Sequence, residues 1–300
     1  MKPGPNLIVK ELFARIDVSA APEPIVEIIT KLSLSLGWHS GPTEAREAAE
    51  KWQSGVETLL RHEISELTRT GRFAPLAFNS SSPAHVQGSA FIEPKDPPDL
   101  KAAKTNRAAF KSYSTALKEL TPRQFEALCA GILSILGVDE PVLTPSSADE
   151  GLDFYGRLHL EKHIFRDLQF RGVERQLGIW LVGQAKHYVK GDVSTPELRE
   201  LVGAVQLAKG HAFGSGREKY QDLNIRVCDP VYYLFFTTGR LTTNSWTLLD
   251  RSGVIGMDGE MVAIFLADHG VGLVEGCFND QAFKEWLTNL MSLPTVARKQ

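Results

Sequence analysis

Apolar residues fall at helical spacing over the first seventy positions. Pro5 opens a segment whose Leu7, Ile8, Leu12, Phe13 and Ile16 form one stripe. A second predicted helix runs from Glu23 to Leu36 and stops at Gly37, a residue type that readily takes the left-handed conformation at a helix end. The third is the longest. Ala45, Ala48, Ala49, Trp52, Val56, Leu59, Leu60, Ile64 and Leu67 recur at three- and four-residue steps up to Gly71, with Thr43 as the expected N-cap. No chemical motif lies in this part, and His39 and His62 read as packing or surface residues.

The pattern breaks from Pro75 to Leu100. Pro75, Pro83, Pro94, Pro97 and Pro98 fall there, with Ser80, Ser81 and Ser82 in a row. Proline removes amide donors and blocks helix, so this stretch reads as a linker. The predicted organisation is a helical N-terminal domain over 1–74, a linker over 75–100 and a second domain over 101–300.

The second domain opens with a predicted helix from about Ala102 to Glu119. Thr121 then caps a helix from Pro122 to Leu136, which ends at Gly137. Beyond it short strands and helices alternate. Strands are predicted at Pro141 to Thr144, Leu152 to Leu160, Ile179 to Tyr188 and Val231 to Thr237. Helices are predicted at Pro196 to Lys209, Thr243 to Ser252 and Glu260 to His269. This alternation predicts an α/β fold.

Composition narrows the class. Of 300 residues, 43% are apolar and 23% charged, which excludes wholesale disorder. A net charge of −3 argues against coating nucleic acid by bulk positive charge. It leaves room for a local patch: Lys101 to Arg123 holds six basic residues and one acid, Glu119. On one continuous helix Lys104, Arg107, Lys111 and Lys118 fall within an arc of about 60°. Such a stripe is either a solvated face or a set of phosphate contacts. Cys129, Cys228 and Cys277 have no disulfide or zinc spacing and read as free thiols. The opening Met1-Lys2-Pro3-Gly4-Pro5 has no apolar signal core, and apolar runs are short. The expectation is a cytoplasmic protein without membrane association.

The informative run is Ile179-Trp180-Leu181-Val182-Gly183-Gln184-Ala185-Lys186, a buried-strand pattern ending in two polar residues. Strand alternation puts Gln184 and Lys186 on one side. Asp149-Glu150-Gly151-Leu152-Asp153 places acids at the start of another strand, and Glu126 follows core-facing Phe125. A carboxylate, an amide oxygen and an ammonium at strand ends suit a hard divalent cation and a phosphodiester. A buried Asp–Lys ion pair, or two solvated strand ends, fits the same spacing.

The stretch from Thr121 to about Leu273 resembles the catalytic domain of Mrr-type restriction endonucleases, a branch of the PD-(D/E)xK nuclease superfamily. The resemblance rests on Phe125-Glu126, Ser147 to Asp153, Gln184-Ala185-Lys186-His187-Tyr188, Glu200 to Val205, Phe235 to Gly239 and Met257-Asp258-Gly259, in that order. It implies a restriction-endonuclease-like mixed sheet flanked by helices and a DNA endonuclease dependent on Mg²⁺ or Mn²⁺. It makes Asp153 the metal ligand and Lys186 the catalytic lysine, puts Gln184 in the usual acid's position as second ligand, and makes Glu126 an accessory carboxylate. Asp149 matches a turn position. The family's setting implies bacterial restriction or antiviral defence.

The chain departs from the family at Glu150, where a small residue is usual. The 31 residues from Asp153 to Gln184 hold His159, Glu161 and His163 at alternating positions, either a strand-edge metal set or separate polar residues. Two other readings stand beside the endonuclease: an inert DNA-binding or assembly module on a nuclease fold, and a nuclease acting on RNA or branched DNA. The N-terminal helices are expected to sense, to recognise a target, or to contact a second copy or a defence-system partner.

Overall fold

Two units divide the chain, Met1–Lys111 and Ser112–Gln300. The computed structural model describes residues 3–145, 151–161, 172, 176–188, 191–210 and 223–292.

The first unit begins with α1 (Pro5–Arg15), a two-residue strand β1 (Glu23–Pro24), α2 (Ile25–Ser35) and α3 (Pro42–Arg69). Two further strands follow, β2 (Leu76–Phe78) and β3 (His85–Gly88), then α4 (Pro98–Arg107). The strands form an antiparallel sheet in the order β1-β3-β2. Ile8, Leu12, Ile29, Val56 and Leu60 form the core of this unit together with Leu76 and Val86. The helix ends fall where the glycines are: Gly37 has φ +65° and Gly71 φ +66°.

Three local expectations change. The stretch 75–100 is not an unstructured linker, because its prolines punctuate elements rather than dissolve them. Pro75 precedes β2, Pro83 lies between β2 and β3, and Pro98 opens α4, where its missing N–H costs nothing. Buried Glu93 ties the segment together by accepting hydrogen bonds from Gln87 Nε2 at 2.8 Å and from Ser80. Gly88 lies so close to the Val18 carbonyl oxygen that a Cβ would stand 2.2 Å from it. Thr43 does not cap α3: Pro42 starts the helix, Gly41 is the N-cap and Thr43 sits inside the first turn.

The third concerns the basic stripe. The helix expected over 102–119 is two helices, α4 and α5 (Phe110–Glu119), interrupted at Ala108 and Ala109, where i→i−3 bonds tighten the turn. Lys104, Arg107, Lys111 and Lys118 therefore do not share one helix face. Lys104 is paired to Asp96 at 2.8 Å with both side chains largely buried, and Lys111 is paired to Asp17.

In the second unit Thr121 caps α6 (Pro122–Ile135) in a reciprocal box with Gln124. The sheet that follows has the order β10-β8-β6-β5-β4. Its members are β4 (Val142–Leu143), β5 (Phe154–His159), β6 (Gly178–Lys186), β8 (Val231–Thr237) and β10 (Ile255–Met257). β4, β5 and β6 pair antiparallel, whereas β6, β8 and β10 run parallel. β7 (Asp192–Val193) and β9 (Arg240–Leu241) make a small parallel pair. The helices are α7 (Thr195–Lys209), α8 (Thr243–Ser252), α9 (Gly259–Asp268) and α10 (Asp280–Met291), with a hairpin of β11 (Leu273–Val274) and β12 (Cys277–Phe278) before the last.

Strand alternation builds two apolar faces. Tyr155, Trp180, Val182 and Phe235 meet Leu198, Leu201 and Val205 of α7 and Leu249 of α8. Phe154 stacks on Phe236 with ring centres 5.5 Å apart. Gly183 makes room for it: a Cβ there would stand 2.2 Å from Phe154 Cζ. The second unit is thus a five-stranded mixed sheet with helices packed on it, preceded by a helix-rich N-terminal unit. Among the described residues no helix is long and apolar enough to cross a membrane.

Candidate active site

β6 is the central strand, paired to β5 on one side and β8 on the other. Gln184 stands opposite Phe235 and Lys186 opposite Thr237. The two lie on one face, about 6.5–7 Å apart along the strand. The strand end is held from the β8 side. Tyr188 N–H donates to Thr238 Oγ1 at 2.9 Å, and that hydroxyl donates to the Tyr188 carbonyl at 3.1 Å. Thr238 N–H reaches the Lys186 carbonyl at 3.3 Å. Gly259 lets the next turn press on this clasp, since a Cβ there would stand 2.4 Å from the Thr238 oxygen. Asp258 caps α9 through the Glu260 and Met261 amides, as its sequence position suggests.

Gln184 is 2% exposed, and its Oε1 is buried with no hydrogen-bond partner. Leaving such an acceptor unmade costs about 1–3 kcal/mol. Gly151, at φ +74°, packs beside the nitrogen of this amide: a Cβ there would be in ordinary contact, 3.7 Å from Gln184 Nε2, 3.7 Å from Glu200 Cγ and 3.4 Å from Ala204 Cβ. Lys186 is half-buried, and no carboxylate among the described residues pairs with it.

Asp153 stands just before β5. Its N–H bonds the Gly183 carbonyl at 3.0 Å, although the ladder pairs Gly183 with Phe154. Two successive residues therefore address one, in the manner of a β-bulge, which re-aims a side chain. The carboxylate Oδ2 accepts the Ala185 N–H at 2.7 Å, on the residue between Gln184 and Lys186. Burial pushes its pKa up to about 6; the Ala185 N–H opposes this, the Glu126 charge adds to it, and Lys186 and Arg123 oppose it. Asp153 thus lies in the fields of both Glu126 and Lys186. Glu126 is held by Arg123 Nη1 at 2.7 Å, and the same nitrogen donates to the Thr144 carbonyl at 2.6 Å.

Asp153, Gln184, Lys186 and Glu126 are therefore brought to one end of the sheet. The Asp153 carboxylate and the unpartnered Gln184 oxygen suit a hard divalent cation, which takes oxygen donors. Among the described residues no three His, Cys, Asp or Glu side chains gather into a metal cluster. Asp149, Glu150 and His163 lie outside the described residues. His159 and Glu161 are at the far end of β5 from Asp153, beside Arg157 and Trp180 in a cavity of about 540 Å³. His187 points away from the Lys186 face; its Nε2 lies 3.3 Å from the Leu117 carbonyl and its ring packs edge-on to Phe125. Sequence reasoning missed Arg123, whose signal is its i, i+3 spacing from Glu126 on a helix.

Comparison with known proteins adds the following. Residues 117–213, about a third of the chain, match the Mrr_cat family, described as a restriction endonuclease. No curated protein sequence matches. Two solved structures are similar. One is the MspJI restriction endonuclease in complex with a 27-mer oligonucleotide, at 13% identity and a TM-score of 0.39, covering 67% of this chain and 39% of that one. The other is the DNA modification-dependent restriction endonuclease AspBHI, at 17% identity and a TM-score of 0.38, covering 70% and 46%. This chain spans less than half the length of either. The segment matched, residues 117–213, carries Glu126, Asp153, Gln184 and Lys186.

Proposed function

We propose that the protein is a divalent-metal-dependent DNA endonuclease that hydrolyses phosphodiester bonds in a cytoplasmic restriction or antiviral role. The observation that carries this reading is the union of a carboxylate, an orphaned amide oxygen and a lysine with no carboxylate partner among the described residues, at one strand end inside the segment that matches the Mrr_cat family. Asp153 and Gln184 are the residues to hold Mg²⁺ or Mn²⁺, with Glu126 as an accessory carboxylate. Such a cation supplies a lower pKa for bound water and charge offset at the phosphate. Lys186 places its ammonium beside the same phosphate, where it orients water and stabilises negative charge developing in the transition state. Its half-buried position strengthens that interaction relative to water.

DNA is the proposed substrate, with the N-terminal unit contributing target recognition, a contact to a second copy or a contact to a defence-system partner. The test is incubation of the purified protein with supercoiled plasmid and Mg²⁺ or Mn²⁺, beside Asp153→Asn and Lys186→Ala. Nicked or linear product from the wild type alone supports the reading. Equal cleavage by all three, or none by the wild type across plasmids of differing base modification, removes it.

A further inference from the structure

Asp153 sits at a bulge, and a bulge aims a side chain only as firmly as both of its sides are held. One side is tied to β6: the Asp153 N–H donates to the Gly183 carbonyl at 3.0 Å, and Oδ2 accepts from the Ala185 N–H at 2.7 Å. The other side faces β4, the edge strand of the sheet. Thr144 directly follows β4 and is 2% exposed. Its N–H donates to the Asp153 carbonyl at 3.0 Å. Its hydroxyl is shared between two successive carbonyls, Leu152 at 2.8 Å and Asp153 at 3.1 Å. Threonine hydroxyls commonly bond backbone within four residues of themselves. This one reaches eight and nine residues along the chain.

The contacts continue from Thr144 to α6. The Thr144 carbonyl accepts from Arg123 Nη1 at 2.6 Å, and the same nitrogen holds Glu126 Oε2 at 2.7 Å. The Glu126 carboxylate is thereby joined to the Asp153 backbone through one guanidinium nitrogen and one threonine. The two carboxylates come from different elements, α6 and the start of β5, and the Glu126 charge is felt at Asp153. Like charges repel when no cation lies near them. Their relative position must therefore be held by other groups, and the chain of contacts through Arg123 and Thr144 does so.

We propose that Thr144 and Arg123 are positioning residues of this centre, a brace that fixes the Asp153 and Glu126 carboxylates relative to each other before any cation arrives. The proposal rests on the nuclease reading for the presence of a cation, and it extends the site to the edge of the sheet. It gives Arg123 a role that its charge alone opposes. A guanidinium beside two carboxylates repels a divalent ion, so what it contributes is geometry.

The experiment measures Mn²⁺ bound by the full-length protein from the fall in the free-ion electron paramagnetic resonance signal. It is run with and without a short duplex whose phosphorothioate linkages resist cleavage. Thr144→Val removes the hydroxyl and keeps the N–H, Thr144→Ser keeps both, and Asp153→Asn reports on the cation itself. Thr30→Val makes the same change at a buried threonine of the first unit, whose hydroxyl donates to the Val26 carbonyl at 2.8 Å. Each variant is checked for its melting temperature. Thr144→Val is expected to weaken Mn²⁺ binding about tenfold, as loss of a group that orients a metal ligand does. Thr144→Ser and Thr30→Val should bind like the wild type. Arg123→Gln should weaken binding too, although it removes a repelling charge. Thr144→Val binding like the wild type while Asp153→Asn loses the ion overturns the proposal and leaves the nuclease reading intact. So does a loss in Thr144→Ser or Thr30→Val equal to that in Thr144→Val, and so does unchanged or tighter binding by Arg123→Gln. If Thr144→Val does not fold, the Arg123→Gln result decides alone. Binding undisturbed by Asp153→Asn, or absent from the wild type with and without duplex, overturns both.

Discussion

Asp153 Oδ2 accepts the backbone N–H of Ala185 at 2.7 Å. The acceptor belongs to one strand and the donor to its neighbour, and the donor sits between the two polar residues Gln184 and Lys186. The carboxylate is therefore tied to the backbone from which both side chains project, and its distance to that backbone is set by the strand pairing. Oδ1 is left for another partner. A site assembled this way keeps its spacing through changes at the surface and loses it through changes in the β5–β6 ladder.

Asp153 makes stability and activity oppose each other. With its pKa raised to about 6, the folded protein holds this proton more tightly than the unfolded chain, whose aspartate titrates near 3.8. The stabilisation is fully present below the unfolded value and is lost as pH rises through about 6. Asp153→Asn removes that loss. Its melting temperature should match the wild type near pH 4 and exceed it by a few degrees at pH 7.5, while cleavage disappears. A melting difference that does not vary between the two pH values would disprove this account. In the wild type the Mg²⁺ concentration needed for cleavage should rise steeply below about pH 6, where the cation competes with the proton.

Lys186 and Gln184 predict different signatures. Lys186→Ala should end cleavage while leaving DNA affinity and melting temperature nearly unchanged, because no carboxylate among the described residues pairs with the ammonium. Gln184→Glu should keep cleavage and tighten metal binding. Because residue 184 is 2% exposed, an added carboxylate there should lower the melting temperature in EDTA and restore it in Mn²⁺. Calorimetry and thermal melts in the two conditions check this. An inactive but folded Gln184→Glu would mean that the amide hydrogens themselves contact the substrate or the water.

Gly183→Ala tests whether the site depends on packing beneath it. The new methyl would meet Phe154 Cζ at 2.2 Å and Cε2 at 2.4 Å. Overpacking of this kind costs about 1–3 kcal/mol, and the melting temperature should fall by about 3–10 °C. Cleavage should fall more than the folded fraction does, because the strain is one residue from Gln184. A variant with unchanged melting would show that Phe154 yields freely.

The basic residues separate by what holds them. Lys104→Gln breaks a largely buried pair with Asp96 and should lower stability without altering the salt dependence of DNA binding. Lys118, exposed on α5, remains a candidate phosphate contact. Lys118→Gln should flatten the log–log salt slope by about 0.9 if it neutralises a duplex phosphate. Binding titrations at four salt concentrations distinguish the two.

The strands and helices that carry the site were legible because each is long enough to display its period. β6, β8, α6 and α8 lie where the alternation of Val182, Gln184 and Lys186, or the helical run of Phe125, Leu128 and Ile132, placed them. Apart from β4, the elements of two to four residues left little trace: β2 and β3 were hidden by prolines, and β10, β11 and β12 by their length. α10 was not expected. The break at Ala108–Ala109 was invisible because alanine favours helix, so local preference argued for continuity. Asp153, Gln184 and Lys186 could be picked out as polar residues at the ends of apolar strands. That the Gln184 oxygen lacks a partner depends on what surrounds it, which no single sequence window holds.

The central place of β6 has a dynamic consequence. Its amides are tied to β5 on one side and β8 on the other, so exposing them to solvent exchange requires opening most of the sheet. Deuterium should enter Val182 and Gln184 at rates near those of global unfolding, and the exposed turn at Gly191 far sooner. Thermal motion then reaches the centre chiefly through the four-carbon stem of Lys186, which no carboxylate among the described residues clamps. The ordering entropy lost at this strand end on forming the reactive complex is thereby concentrated in one side chain.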